Sequence, residues 1–176
     1  MEKKANNEDK IMWKVMIVDD EKLICKLVQA LVEWDKLGMQ MAAQAENAIQ
    51  ALDMLQQYRP DILITDIRMP GMDGLELIKN AKKICPELEI IIISGYAHFE
   101  YARNALSLGV GNYLLKPIKQ DELNETLRKI GERLDAKKSA QGMEMAERRV
   151  SESDVNRLRY ALLKDLVEDA YNPTAV

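Results

Sequence analysis

The chain has 176 residues, with 25 Lys and Arg against 29 Asp and Glu for a formal net charge of −4, and it is 47% apolar and 31% charged. That balance is globular, and it excludes wholesale disorder and a strongly basic nucleic-acid-binding chain. Two cysteines, Cys25 and Cys85, exclude a disulfide scaffold and fit a reducing compartment. No apolar run is longer than four residues, as in Ile90–Ile93, and Met1–Lys10 is polar with no apolar core. Neither a membrane span nor a signal peptide is therefore expected, and the chain reads as soluble and cytoplasmic. One His and two Cys leave little for zinc, so any metal should be hard and oxygen-bound.

Three segments follow in order. Residues 1–13 form a charged lead-in that is expected to be mobile, 14–134 alternate apolar runs with helical patterns, and 135–176 are charged and helical in pattern. Within 14–134, strands are predicted at Lys14–Asp19, Met39–Ala45, Ile62–Thr65, Glu89–Ser94 and Gly111–Leu115. Each is followed by residues at helical spacing: Leu23, Leu27, Ala30 and Leu31; then Ile49, Leu52 and Leu55; then Leu75, Leu77 and Ile78. The fourth helical segment carries Tyr101, Ala105 and Leu108, and the fifth Leu123, Leu127, Ile130 and Leu134. Near-continuous apolar strands fit a parallel sheet covered on both faces, and strand–helix alternation gives right-handed crossovers. The expected fold is α/β, a doubly wound five-stranded parallel sheet with a C-terminal helical extension. In such sheets the site lies beyond the carboxyl ends of the strands.

Strand one ends in Asp19-Asp20-Glu21, strand three in Thr65-Asp66, strand four in Ser94-Gly95 and strand five in Leu115-Lys116-Pro117. Three carboxylates converging on one place repel each other unless a cation joins them, and Mg²⁺ takes oxygen ligands. An Asp beside Mg²⁺, with a lysine and a hydroxyl nearby, is equipped to receive a phosphoryl group. Taken singly, each residue has a plainer reading. Asp19-Asp20 can cap the helix that starts near Lys22, Lys116 can be a solvated lysine, and Ser94 a turn residue. Their joint placement at strand ends favours the chemical reading. His98, Cys25 and Cys85 are read as surface or small packing residues.

The motifs Val18-Asp19-Asp20-Glu21, Asp66-Ile67-Arg68-Met69-Pro70-Gly71-Met72-Asp73-Gly74, Ser94-Gly95-Tyr96 and Tyr113-Leu114-Leu115-Lys116-Pro117 resemble the receiver domain of bacterial response regulators across essentially all of 14–134. The resemblance implies a (βα)5 flavodoxin-like receiver fold with Asp66 as phosphoacceptor. It implies Asp20 as direct Mg²⁺ ligand with Asp19 helping, and the backbone carbonyl of Arg68 beside them. Ser94 corresponds to the switch hydroxyl, Lys116 to the phosphate-binding lysine and Tyr113 to the switch aromatic. The Lys116–Pro117 peptide is expected to be cis, which is plausible only before proline. Trp34-Asp35-Lys36-Leu37-Gly38 and Ser94–Ala102 further resemble receivers that precede AraC-type helix-turn-helix output domains in two-component transcriptional regulators, although Ala48 stands where that subgroup often has Gly.

The implied function is a phosphorylation switch, not an enzyme beyond self-phosphorylation and slow autophosphatase activity. The implied partners are a sensor histidine kinase and a second copy of the chain. That copy would dock on the face of the fourth helical segment, fifth strand and fifth helical segment, or on the tail. In the tail, Ser139–Gly142 is expected to break the helix, and Val155, Leu158, Leu162, Leu166 and Val167 form an apolar stripe that suits a coiled coil. Seven basic residues against eight acidic ones there do not make a nucleic-acid arm. An AraC-type output domain needs about a hundred residues, so DNA binding is expected only through a domain outside these residues. The alternatives are a stand-alone receiver acting through protein contacts, and a Mg²⁺-dependent phosphatase of haloacid-dehalogenase type. Such phosphatases carry a second Asp two residues after the nucleophile, where this chain has Arg68.

Overall fold

Parallel pairing of short β-branched and Leu-rich runs builds the sheet around which everything else is arranged. The computed structural model describes residues 12–95 and 99–143. The strands are β1 (Trp13–Val18), β2 (Met39–Ala45), β3 (Ile62–Thr65), β4 (Glu89–Ser94) and β5 (Asn112–Leu115). All are parallel, in the order β2-β1-β3-β4-β5. Between them lie α1 (Lys22–Leu31), α2 (Trp34–Leu37), α3 (Ala48–Tyr58), α4 (Gly74–Ile84) and α5 (Phe99–Ser107). Residues 120–131, at the end of the first of two compact units, form α6. The five-stranded parallel doubly wound expectation is met, and three of the five strands have the predicted bounds. β3 and β4 are the hydrophobic centre: Ile62, Leu63, Ile64, Ile90, Ile91, Ile92 and Ile93 are all buried, as expected of strands covered on both faces.

The chain divides into two compact units, Met1–Gly131 and Glu132–Val176. In the first, Leu123, Leu127 and Ile130 of α6 are buried. Gly131 permits a close approach to β2, since a Cβ there would lie 3.2 Å from Met39 Cε. Asn124 adds a polar tie. Its Oδ1 accepts from Glu33 N at 2.9 Å and its Nδ2 donates to Leu31 O at 2.8 Å, which joins α6 to the α1–α2 connection. In the second unit, residues 132–143 are helical.

One expectation needs correction, and α1 and α2 add detail beyond the sequence reading. The buried residues of α1 are Cys25 and Val28, whereas Leu23 is 78% and Leu27 41% exposed. The apolar residues of α1 surround the helix more widely than its buried face, so helical spacing marked the helix without fixing its buried side. A short helix, α2, also stands between β1 and β2, closed by Gly38 in the left-handed region at φ 64°. Lastly, Ser139–Gly142 is helical rather than a break. Ser139 Oγ donates to Asp135 O at 2.9 Å within the helix, and one Gly costs a helix only about 1 kcal/mol. The apolar stripe from Val155 to Val167, and His98, lie outside the described residues. Among the described residues no helix is long and apolar enough to cross a membrane.

Candidate functional site

The ends of four strands bring the predicted residues to one rim. Past the last ladder pair of β1 and β3, Val18 with Thr65, Asp66 N still donates to Val18 O at 3.1 Å. Past β4 and β5, Lys116 N donates to Ser94 O at 2.9 Å. These bonds fix where Asp66 and Lys116 leave the sheet. The Lys116–Pro117 peptide is cis.

Lys116 is the hub. Its Nζ lies 3.0 Å from Asp66 Oδ2, 3.1 Å from Asp19 Oδ2 and 3.6 Å from Glu21 Oε1. Asp19 and Asp66 are buried, and Asp20 is exposed. One carboxylate oxygen from each of Asp19, Asp20 and Asp66 lies within 4.8 Å of the other two. Asp19 does not cap α1, whose N-cap Glu21 makes no side-chain cap bond. Its Oδ1 instead accepts from Glu21 N at 2.9 Å. The capping reading of the aspartate pair thus fails, and the carboxylates face each other.

Burial raises the Asp19 carboxyl above its ordinary range, against the opposing pull of the Glu21 N–H and of Lys116. For Lys116, burial pulls the ammonium down, but hydrogen bonds to Asp66 and Asp19 more than offset it, and its pKa is raised. The Cys25 thiol, whose Sγ reaches Asp19 O, is pushed up to about 11, chiefly by burial and then by the Asp19 charge. It is an inert packing group.

Three carboxylates against one ammonium leave two negative charges in excess, and every donor in the cluster is oxygen. That set fits a hard dication such as Mg²⁺ and does not fit zinc. Beside the cluster, Asp20, Ile67, Arg68, Met69, Pro70, Asp73 and Tyr101 line an open cleft of about 460 Å³. Ser94 is wholly buried at the end of β4, and Tyr113 on β5 is half-buried against the apolar core.

Several contributors lie outside the predicted set, and two of them are backbone N–H groups with no residue-type signal. Asp66 Oδ1 accepts from Ile67 N at 2.6 Å and more loosely from Arg68 N at 3.4 Å. The Thr65 hydroxyl donates to Asp66 O at 2.9 Å. Glu21 reaches Lys116 from within a motif that was already visible.

The site and fold define a class. The response regulator receiver domain family matches residues 15–128, and the chain belongs to that family. It is the receiver domain of a two-component response regulator. It is 40% identical over 119 residues to the uncharacterized transcriptional regulatory protein YesN of Bacillus subtilis, covering 68% of this chain and 32% of that protein. It is 32% identical over 135 residues to the transcriptional regulatory protein HptR of Staphylococcus aureus, covering 77% of this chain and 53% of that one. The chain thus spans from about a third to just over half of the length of these relatives. Among solved structures, the REC domain of AraT, a response regulator from Geobacillus stearothermophilus, has 38% identity and a TM-score of 0.69, covering 72% of this chain and 98% of that one. The two-component transcriptional regulator AraC from Clostridium phytofermentans has 35% identity and a TM-score of 0.63, covering 67% and 92%.

Proposed function

We infer that Asp66 accepts a phosphoryl group from a sensor histidine kinase and that the resulting charge switches an output surface. The observation that carries this is Asp66 Oδ2 lying 3.0 Å from Lys116 Nζ within a three-carboxylate cluster that fits a dication. In the transfer, a bond forms between an Asp66 carboxylate oxygen and phosphorus as the kinase's nitrogen–phosphorus bond breaks, leaving neutral imidazole. Asp20, Asp19, Asp66 and the Arg68 carbonyl would hold Mg²⁺. When bound, the ion supplies positive charge beside the phosphoryl oxygens. Lys116 neutralises further charge as its pairing passes from the free carboxylate to the phosphoryl group. Ser94 donates its hydroxyl to a phosphoryl oxygen and draws the end of β4 inward.

Tyr113 then reorients and remodels the face of α5, β5 and α6, a local charge event biasing a two-state surface. This face, or the tail, is the proposed homodimer contact. The receiver is assigned to 14–134, with β1 reaching one residue further, to Trp13, than the expected lead-in allows, and the tail to 135–176. An AraC-type output domain outside these residues would bind DNA in the cytoplasm; the likeness to the AraT receiver and to the two-component transcriptional regulator AraC supports this context. Leu23 and Leu27, exposed on α1, which follows the Asp19–Glu21 run in sequence, are the apolar docking step proposed for the kinase.

Acyl-phosphate formation on incubation with a phosphorylated kinase tests the reading. Label is expected on the native chain and none on Asp66→Asn, whereas a fully labelled Asp66→Asn variant contradicts it.

A further inference from the structure

We propose that Gly74 is a positioning residue for the acceptor carboxylate. This rests on the reading of Asp66 as phosphoacceptor. Gly74 opens α4, seven residues past the Asp66–Ile67 peptide, and the intervening loop folds back on itself there. Gly74 N donates to Ile67 O at 2.7 Å. A Cβ on Gly74 would overlap the Asp66 carbonyl oxygen, and it would lie 2.9 Å from both the Asp66 carbonyl carbon and Ile67 Cα. All three are backbone atoms and cannot swing aside as a side chain would. Only glycine lets the helix start this close.

The peptide that Gly74 presses on also aims the side chain of Asp66. Its N–H, on Ile67, holds Asp66 Oδ1 at 2.6 Å. Its carbonyl oxygen accepts the Thr65 hydroxyl at 2.9 Å. With Oδ1 committed to the backbone, Oδ2 is the oxygen presented to Lys116 and to an incoming phosphorus. Pushing the 66–67 peptide outward by even a few tenths of an ångström turns that oxygen away. Small misplacements of reacting groups carry large rate penalties.

Another glycine in the same loop supplies the control. Gly71 sits at φ 83°, so Ala there is strained, yet its Cβ would meet nothing within 4 Å. Gly71→Ala therefore stiffens and destabilises the loop without touching Asp66.

The experiment incubates the full chain, Gly74→Ala and Gly71→Ala with acetyl phosphate and saturating Mg²⁺. Aspartyl phosphate is followed by intact mass, and the Ile67 amide by nitrogen-edited NMR. Gly74→Ala is expected to label about tenfold more slowly or worse, with its Ile67 amide shifted and deprotected while β1 and β4 amides stay protected. Gly71→Ala is expected within about threefold of the native rate. A native-like rate for Gly74→Ala, or an equal slowing by Gly71→Ala, overturns the positioning role alone. No label on the native chain overturns the phosphoacceptor reading and the positioning role with it. Amide exchange on the native chain decides the matter if Gly74→Ala does not fold. The Gly74 and Ile67 amides should then exchange slowly and together, and rapid exchange at Gly74 overturns the proposal.

Discussion

Lys116 Nζ lies 3.0 Å from Asp66 Oδ2 across 50 residues of sequence, so one ammonium holds the carboxylate proposed to take the phosphoryl group. The same ammonium pairs with Asp19 at 3.1 Å. Two buried acids thus share one counter-charge, which ties the stability of the site to its chemistry.

Lys116→Met leaves Asp19 and Asp66 buried and facing each other without a cation. Metal-free stability should fall by about 1–3 kcal/mol, with part of it regained in Mg²⁺. Because the folded-state pKa of Lys116 is raised above 10.5, its contribution is complete below that value and is lost as pH rises through the folded value. Urea unfolding with and without chelator should show the gap between native and variant narrowing in alkali. A gap that stays constant with pH contradicts the pairing.

Asp19→Asn should act the other way. Burial raises the Asp19 pKa above 3.8, so Asp19 favours folding fully only below 3.8 and loses that contribution as pH rises through its folded value. At neutral pH the metal-free variant should melt above the native protein, and the difference should close in acid. Stabilisation by Mg²⁺ should shrink in the variant. Calorimetry in chelator and in Mg²⁺ checks all three outcomes.

Leu23 and Leu27 are exposed on α1, so replacing both with Ser should change stability by only about 0.5 kcal/mol per site. Transfer from a phosphorylated kinase should slow by about tenfold, while labelling by acetyl phosphate stays native. Equal slowing with both donors would place the defect in the site rather than in docking.

Asn124→Ala removes the tie from α6 to Leu31 and Glu33. The expected cost is about 1–3 kcal/mol, because the Glu33 N–H and Leu31 carbonyl lose their shared partner. Faster hydrogen exchange at the Glu33 amide is the direct readout, and unchanged exchange contradicts the tie.

The strands were legible because runs such as Ile90–Ile93 are apolar on both faces, which only a covered parallel sheet accommodates. The acids, Ser94 and Lys116 were legible because a doubly wound sheet gathers its strand ends at one rim. The buried side of α1 was not, since Leu23 and Leu27 are as apolar as the residues that turn inward. Nor were the donors on Asp66, because the N–H groups of Ile67 and Arg68 belong to the backbone and leave no trace in residue type. Gly74 was visible only as the last residue of the Asp66–Gly74 motif, while its contact with the Asp66 carbonyl depends on the fold of the intervening loop. Asn124 reads as one more polar residue on a helix, and its partners lie more than 90 residues away.

The most direct test of the central claim is the site of covalent phosphate. The native chain, given Mg²⁺ and acetyl phosphate or a phosphorylated kinase, is reduced with borohydride and mapped by peptide mass spectrometry. A single modified aspartate is expected at position 66, lost in Asp66→Asn and absent when Mg²⁺ is chelated. Phosphate mapped to another residue, or undiminished label on Asp66→Asn, would contradict it.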